Sequence, residues 1–166
     1  VSADTVIVEE DMEDGPEDSE AVELNWQMTQ RLDVASCKQG KDVTLTVSVL
    51  GDTKSMQLST IYASLSYNLG VFAFGAEDIT PVKSGLVDYI SFDEYTGELD
   101  IYYASDITLE SGTELFKIKM HVLDDADTGS TGLCVDSLEL YATDNDNYVM
   151  IENENKVKVN IQKGNG

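Results

Sequence analysis

The chain has 166 residues, 42% of them hydrophobic, and a formal net charge of -22 at pH 7. This length fits one domain that can bury a sizeable core. So strong a negative field repels nucleic acids and anionic membrane surfaces, so neither is an expected partner. No apolar run is long enough to cross a bilayer, and membrane insertion is not expected. The two cysteines, Cys37 and Cys134, are too few for a disulfide framework, and they form either one bridge or two buried thiols.

The first 23 residues differ from the rest, because they contain 10 acidic residues and no Lys or Arg. Such a block repels itself and stays solvated, so residues 1–23 are expected to be an acidic linker or N-terminal extension. Within it, residues 5–8 could form a short edge strand. Residues 24–166 then form the domain. Residues 21–31 have helix-like spacing that predicts one weak turn, and Trp26 is expected to lie outside the strand core.

From about residue 32 onward the apolar residues recur with period two. Strict alternation is typical of strands that bury one face only. Gly-containing turn signals separate these runs, and no amphipathic helix intervenes. The pattern predicts an all-β sandwich. The alternating segments are 42–49, 60–67, 98–104, 116–122 and 156–161.

The residues that would support catalysis are sparse. His121 is the only histidine and falls on the polar side of an alternating segment, so it is expected to face solvent. There is no P-loop, CxxC pair or nucleophile-elbow motif. The many carboxylates lie in the acidic segment, in turns and at outward strand positions, so no enzyme is expected. Two acidic loops, 124–127 and 144–147, have calcium-like oxygen ligands but no EF-hand spacing, and ordinary turns are expected there.

Exposed tyrosines are the most informative functional feature. Tyr62 and Tyr102 fall on outward positions of two separate strands. If the strands are neighbours, the two rings share one flat face, which suits a protein partner or a polysaccharide. The alternative is that the rings only pack against each other across the strands.

The order of segments over residues 30–162 resembles a cohesin domain, the dockerin receptor of cellulosome-type assemblies. Residues 35–47 are similar to the family's opening strand, glycine turn and second strand. Residues 61–68 are similar to its third strand, with Asn68 where the family has Asp. Residues 99–105 and 114–120 resemble its sixth and a later strand, and residues 133–142 and 156–161 complete the order.

The resemblance implies a nine-stranded jelly-roll β-sandwich that is extracellular, attached to a scaffold or cell surface, monomeric and non-catalytic. Its partner would be a dockerin-bearing protein. No cofactor is expected, because calcium would belong to the dockerin. The alternatives are a carbohydrate-binding module of similar fold and a spacer without a dedicated ligand. Carried over by position, the partner-binding residues are Thr60, Tyr62, Ser64, Tyr89, Ser91, Tyr102, Ala104 and Ser105.

Overall fold

The computed structural model describes residues 22–144 and 146–165, which form thirteen strands in two sheets. Nine strands have six or more residues: β2 (Trp26–Leu32), β4 (Asp42–Gly51), β5 (Ser55–Ser66), β8 (Val87–Asp93), β9 (Glu98–Glu110), β10 (Glu114–Val122), β11 (Gly129–Tyr141), β12 (Asn147–Glu152) and β13 (Val157–Gln162). Four are shorter: β1 (Val22–Glu23), β3 (Ser36–Lys38), β6 (Phe72–Ala73) and β7 (Ile79–Pro81). The 3-10 helices Ala76–Asp78 and Ser84–Leu86 complete the described elements. The predicted all-β sandwich is confirmed.

The larger sheet has eight strands, with the main order β1-β12-β11-β5-β9-β8. Strand β13 pairs with the first part of β11, and β3 pairs with β13. The smaller sheet has the order β2-β4-β10-β6, and β7 also pairs with β10. Most neighbours are antiparallel, whereas β1 with β12 and β3 with β13 are parallel. Strand β1 carries Val22–Glu23 into the larger sheet, so the described sheet begins within the predicted acidic extension.

One hydrophobic core lies between the two sheets, and the predicted alternation explains it. The alternating apolar residues Val43, Leu45, Val47 and Val49 of strand β4 are buried, and so are those of β9, β10 and β11 that alternate with polar ones. Polar residues on the opposite sides of these strands remain at least partly accessible, with Thr46 as a buried exception. Period-two sequences thus fix which side of each strand faces solvent.

The prediction for residues 22–31 and for Trp26 was wrong. Trp26 begins strand β2, is 2% exposed and packs in the core. It pairs in register with Gly51 of β4, and Met28 two residues further is also buried. The helix-like spacing was therefore overridden by pairing with a neighbouring strand, since Trp26 and Met28 also satisfy a period of two. Residues 1–21, including the possible edge strand 5–8, lie outside the described residues.

The turn that joins β8 to β9 depends on a glycine. Gly97 has a φ of +76°, a conformation that L side chains rarely adopt. A Cβ at Gly97 would also lie 2.0 Å from the carbonyl oxygen of Leu65. The Leu65 amide donates to the Gly97 carbonyl at 2.8 Å, and the Gly97 amide donates to Asp93. This turn fixes the relative register of the two strands that carry Tyr89 and Tyr102.

Candidate partner-binding face

The outer face of the larger sheet carries five residues in register on five neighbouring strands, and four of them are aromatic. Tyr148 of β12 lies opposite Tyr141 of β11, and Tyr141 lies opposite Thr60 of β5. Thr60 in turn lies opposite Tyr102 of β9, which lies opposite Tyr89 of β8. The strand order therefore brings residues from distant parts of the chain into one line. In that line only the β5 position, Thr60, is not aromatic.

Tyr62, two residues after Thr60, contacts the rings on both sides of the Thr60 position. Its ring lies edge-on to Tyr102, with centroids 6.0 Å apart, and edge-on to Tyr141 at 5.8 Å. Tyr89 stacks on Tyr102 at 5.6 Å, and Tyr148 stacks on Tyr141 at 6.3 Å. These centroid distances and orientations are those of favourable aromatic pairs. We call this set the tyrosine row.

Hydrogen bonds hold two of the phenols in place and keep them protonated. The Tyr102 hydroxyl donates to the Tyr62 hydroxyl at 3.3 Å, and this bond, with some desolvation, raises the pKa of Tyr102 to about 12. The Tyr141 hydroxyl donates to a Glu139 carboxylate oxygen at 3.0 Å. Burial, followed by this bond, raises the pKa of Tyr141 to about 12. Both phenols are therefore neutral at physiological pH.

The tyrosine row is graded in exposure from one side of the sheet to the other. Tyr89, on the edge strand β8, is 53% exposed, whereas Tyr62, Tyr102 and Tyr141 are half-buried. Tyr148 is buried. The accessible rings thus form a continuous surface over strands β11, β5, β9 and β8. A contiguous exposed aromatic surface of this kind is typical of a binding site.

The charges on the five strands that carry the tyrosine row have one sign, whereas β3 and β13 of the same sheet carry Lys38 and Lys158. Strands β5, β8, β9, β11 and β12 contain nine Asp or Glu residues, with two in β8, four in β9, two in β11 and one in β12. They contain no Lys or Arg. Asp100 and Glu139 both lie directly opposite Tyr62, one on each side. The tyrosine row is therefore set in a negative field.

The structure brings most of the predicted partner-binding residues together. Six of them lie on the outer face of three adjacent strands: Thr60, Tyr62, Ser64, Tyr89, Ser91 and Tyr102. Ala104 and Ser105 are exposed, but they fall where the β5–β9 register jumps, between the Thr60–Tyr102 and Leu58–Ile107 pairs. These two residues therefore have no partner on β5 and lie outside the aligned row. That any of the eight residues binds a partner remains a prediction.

Sequence reasoning missed Tyr141, Tyr148 and Glu139. The alternation of β11 is interrupted by a register shift between Val135 and Ser137, which hides its outward residues in the sequence pattern. Beyond the shift, Leu138 and Leu140 are buried while Glu139 and Tyr141 point outward. Reading the alternation forward from Leu138 and Leu140 would have identified Glu139 and Tyr141 as outward residues.

The other candidate residues occupy structural positions. His121 lies on the polar side of β10, as predicted, and its Nδ1 is 2.9 Å from an Asp42 carboxylate oxygen. Cys37 and Cys134 are both buried and free, and burial raises the pKa of each thiol. In residues 22–144 and 146–165, no group of three or more His, Cys, Asp or Glu side chains is placed to hold a metal ion. Asn145 of the second acidic loop lies outside the described residues.

A concave region lies at the edge of the larger sheet. It is a groove of about 910 Å³ between residues 73–78 and residues 91–95. Its floor includes Phe92 stacked on Phe74 with ring centroids 4.8 Å apart. Tyr95, in the turn after β8, lines the groove and is 80% exposed. This groove is separate from the tyrosine row.

Comparison with solved structures identifies the architecture. A cohesin module from a Clostridium perfringens family 33 glycoside hydrolase is 14% identical, with a TM-score of 0.60 over 85% of this chain and 98% of that chain. The solution structure of CaCohA2 from Clostridium acetobutylicum is 15% identical, with a TM-score of 0.54 over 87% of this chain and 92% of that one. The chain has a cohesin-like fold. Like its cohesin neighbours, it is a jelly-roll β-sandwich.

The likeness is one of structure rather than of sequence. No family profile and no curated protein matches this chain. CaCohA2 is also similar as solved in a complex with a variant of CaDoc0917, at 16% identity and a TM-score of 0.53, over 83% of this chain and all of that one. Among the described residues, no helix has the length and apolarity needed to cross a membrane. At such identities the comparison shows the shared fold alone.

Proposed function

We propose that this cohesin-like domain is a non-catalytic protein–protein interaction module that binds a dockerin through the tyrosine row. In this role it would attach a dockerin-bearing protein to an extracellular scaffold or cell surface. The observation that carries the proposal is the tyrosine row itself, which lies on an accessible sheet face of a cohesin-like fold. The domain would act as a monomer, and the structural calcium would belong to the dockerin.

Two further observations support this function. One of the structures with the same fold is CaCohA2 in a complex with a variant of CaDoc0917. In addition, tyrosine is enriched in the cores of protein interfaces, because it offers a large apolar ring and a polar hydroxyl at low conformational cost. Tyr62, Tyr102 and Tyr141 already hold their rings through mutual contacts, so little ordering entropy would be lost on binding.

The direct test is a binding screen against the dockerins encoded in the same genome. The chain would be immobilised and presented with each purified dockerin, and hits would be quantified by isothermal titration calorimetry. At least one dockerin is expected to bind with a stoichiometry of one to one and with calcium dependence contributed by the dockerin. Absence of binding by every calcium-loaded dockerin would contradict the proposal.

Carbohydrate binding is a second candidate, favoured by the groove at the sheet edge. Sugar rings stack on accessible aromatic side chains, and Tyr95 supplies such a ring beside the half-buried Phe92. Pull-down on insoluble cellulose and starch separates the two functions. Carbohydrate binding at the groove predicts that the polysaccharide retains the wild-type chain and Tyr62→Ala but not Tyr95→Ala. This result would favour carbohydrate binding over dockerin binding at the tyrosine row.

A further inference from the structure

A pocket opens within the tyrosine row above its one non-aromatic position. Thr60 lies in register between Tyr102 on one neighbouring strand and Tyr141 on the other. Because adjacent strands are about 4.8 Å apart, the two flanking strands are separated by about 10 Å. The small Thr60 side chain leaves the space between the two rings open, and Tyr62 closes one end of it. The resulting pocket of about 490 Å³ is lined by these residues and by Ser59, Tyr103, Ala142 and Thr143.

The side chains around this pocket are suited to a cation. Its walls are tyrosine rings, whose faces attract positive charge. Carboxylates stand beside the lining residues, because Glu139 accepts a bond from Tyr141 and Asp106 accepts one from Thr143. The strands that build the pocket carry no Lys or Arg to neutralise these carboxylates. An anionic side chain would be repelled, and a purely aliphatic one would leave the carboxylates unused.

We propose that the pocket above Thr60 receives one basic side chain, a Lys or Arg, from the partner protein and that this residue anchors the complex. The partner identity rests on the proposed dockerin-binding function, whereas the chemistry of the pocket does not. The aliphatic stem would lie against the rings of Tyr102 and Tyr141, and the charged group would reach Glu139 or Asp106. An aromatic pocket that desolvates a single basic residue has the properties of an interface hot spot.

The pocket can be tested without any dockerin. N-acetyl-lysine methylamide, N-acetyl-arginine methylamide and the neutral N-acetyl-norleucine methylamide would be titrated into the isotope-labelled chain and followed by amide NMR. The two basic probes are expected to give saturable shifts at Thr60, Tyr62, Tyr102, Tyr141 and Thr143, and the neutral probe none. Equal shifts from all three probes, or no saturable shift from either basic probe, would overturn the proposal.

A substitution that fills the pocket provides the matched comparison. Thr60→Phe places a ring in the open space while retaining all five tyrosines, and phenylalanine suits a strand. Thr108→Phe is the control, since Thr108 is exposed on the same sheet outside the tyrosine row and pairs with Gln57. Thr60→Phe is expected to abolish the shifts from the basic probes, while Thr108→Phe keeps them. Shifts that persist in a folded Thr60→Phe chain would mean that the basic group binds elsewhere.

Dockerin binding then separates this inference from the proposed function. For a dockerin identified by the screen, Thr60→Phe and Tyr141→Leu are expected to weaken binding about tenfold or more, whereas Tyr141→Phe, which retains the ring, weakens it much less. Unchanged affinity in Thr60→Phe would overturn the anchor proposal and leave dockerin binding intact. If no dockerin binds but the basic probes do, the dockerin function fails and the chemistry of the pocket stands.

Discussion

The two outer faces of the sandwich differ in whether their charged side chains are paired. On the outer face of the β2-β4-β10 sheet, the carboxylates of Glu114 and Asp42 each contact two basic side chains. These charges are therefore paired within the domain. The larger sheet instead combines the tyrosine row with carboxylates that have no Lys or Arg on its central strands. On the smaller sheet, the ion pairs are Arg31–Glu114 at 2.8 Å, Lys117–Glu114 at 3.4 Å and Lys119–Asp42 at 3.7 Å, and Nδ1 of His121 also lies 2.9 Å from an Asp42 carboxylate oxygen.

This difference indicates which face is available to a partner. A face whose charges are paired internally gains little from a second protein, because binding would have to break or desolvate those pairs. A face with aligned aromatic rings and only negative charges on the strands that carry those rings offers both apolar contact area and a field for a partner of opposite sign. The asymmetry therefore supports the larger sheet as the functional one and the smaller sheet as a solvated surface.

The largest expected effect is on stability, from a substitution in the core that lies between the two sheets. Gly51 lies in register opposite Trp26, and a Cβ at Gly51 would be 2.1 Å from Cε2 of the indole. Because the indole is buried, it cannot move aside without displacing its neighbours. Gly51→Ala is therefore expected to lower the free energy of unfolding by about 3 kcal/mol, near the upper end of the usual cost of overpacking. Urea denaturation followed by tryptophan fluorescence measures this.

The control for that measurement is another glycine with open surroundings. A Cβ at Gly85 would meet no atom within 4 Å. Gly85→Ala is expected to change the stability by less than about 0.5 kcal/mol. Equal stabilities for the two variants would mean that the Trp26 contact does not constrain the edge of the smaller sheet. Both variants should retain the tyrosine row when folded, so the comparison separates stability from binding.

The next largest expected effect is on dockerin affinity, when one side chain of the tyrosine row is truncated. Tyr62→Ala and Tyr102→Ala are each expected to weaken dockerin binding by about 2 kcal/mol, or about 30-fold in Kd, as for interface hot spots. Tyr62→Ala also removes two ring contacts, each worth about 1 kcal/mol, so folding of the variants must be verified by circular dichroism. Calorimetry with the cognate dockerin gives the affinities.

A variant on the opposite face completes this test. Lys119→Ala removes one exposed ion pair of the smaller sheet and is expected to leave the dockerin affinity within about twofold of wild type. If Lys119→Ala weakened binding as much as Tyr62→Ala, the partner would contact the smaller sheet and the assignment of faces would be reversed.

The difference between the faces shows which features of the candidate site could be predicted from the sequence. The outward positions of Tyr62 and Tyr102 followed from alternation alone, because a period of two leaves no freedom in which side of a strand a residue occupies. Their proximity depended on β5 and β9 being neighbours, which alternation cannot determine. The resemblance to cohesin domains placed both residues among the expected partner-binding positions, and the register Thr60–Tyr102 shows that their strands are neighbours.

Two features could not be predicted from the sequence, because one depends on a local irregularity and the other on pairing with a distant strand. The register shift in β11 displaced the alternation that would have revealed Tyr141. Trp26 lies in a short stretch next to acidic residues, where local composition favours solvent exposure, yet pairing with β4 places its indole over Gly51. The pocket above Thr60 was likewise unpredictable, since its walls Tyr102 and Tyr141 are 42 and 81 residues further along the sequence than Thr60.

A smaller effect concerns the hydrogen bond within the tyrosine row. Tyr62→Phe keeps the ring but removes the acceptor for the Tyr102 hydroxyl, so the pKa of Tyr102 is expected to fall from about 12 toward its ordinary value of 10. Because the folded pKa is raised, the associated stabilisation is full below about pH 10 and is lost as the pH rises through about 12. Tyrosinate absorbance during alkaline titration measures the shift.

Tyr141→Phe provides a comparison for the same titration, since its hydroxyl bonds to Glu139 and leaves the Tyr102–Tyr62 pair intact. It should remove one late-titrating phenol without making Tyr102 titrate earlier. An unchanged Tyr102 titration in Tyr62→Phe would mean that the two hydroxyls are not bonded in solution. Tyr62 and Tyr102 would then be held together by their ring contact alone.

The smallest expected effect tests the paired charges of the other face. The Arg31 hydrogen bond, and then the Lys117 charge, hold the pKa of Glu114 below its ordinary value of 4.5. A depressed folded pKa stabilises the fold above about pH 4.5, and this contribution is lost as the pH falls through the lower folded value. Glu114→Gln should therefore be slightly less stable than wild type near neutral pH and equally stable at an acidic pH below the lowered pKa of Glu114, as measured by urea denaturation. A difference that persists at the acidic pH would come from packing rather than charge. A difference that is absent at both pH values would mean that the ion pairs contribute nothing, so that the smaller sheet too would have charges to offer a partner.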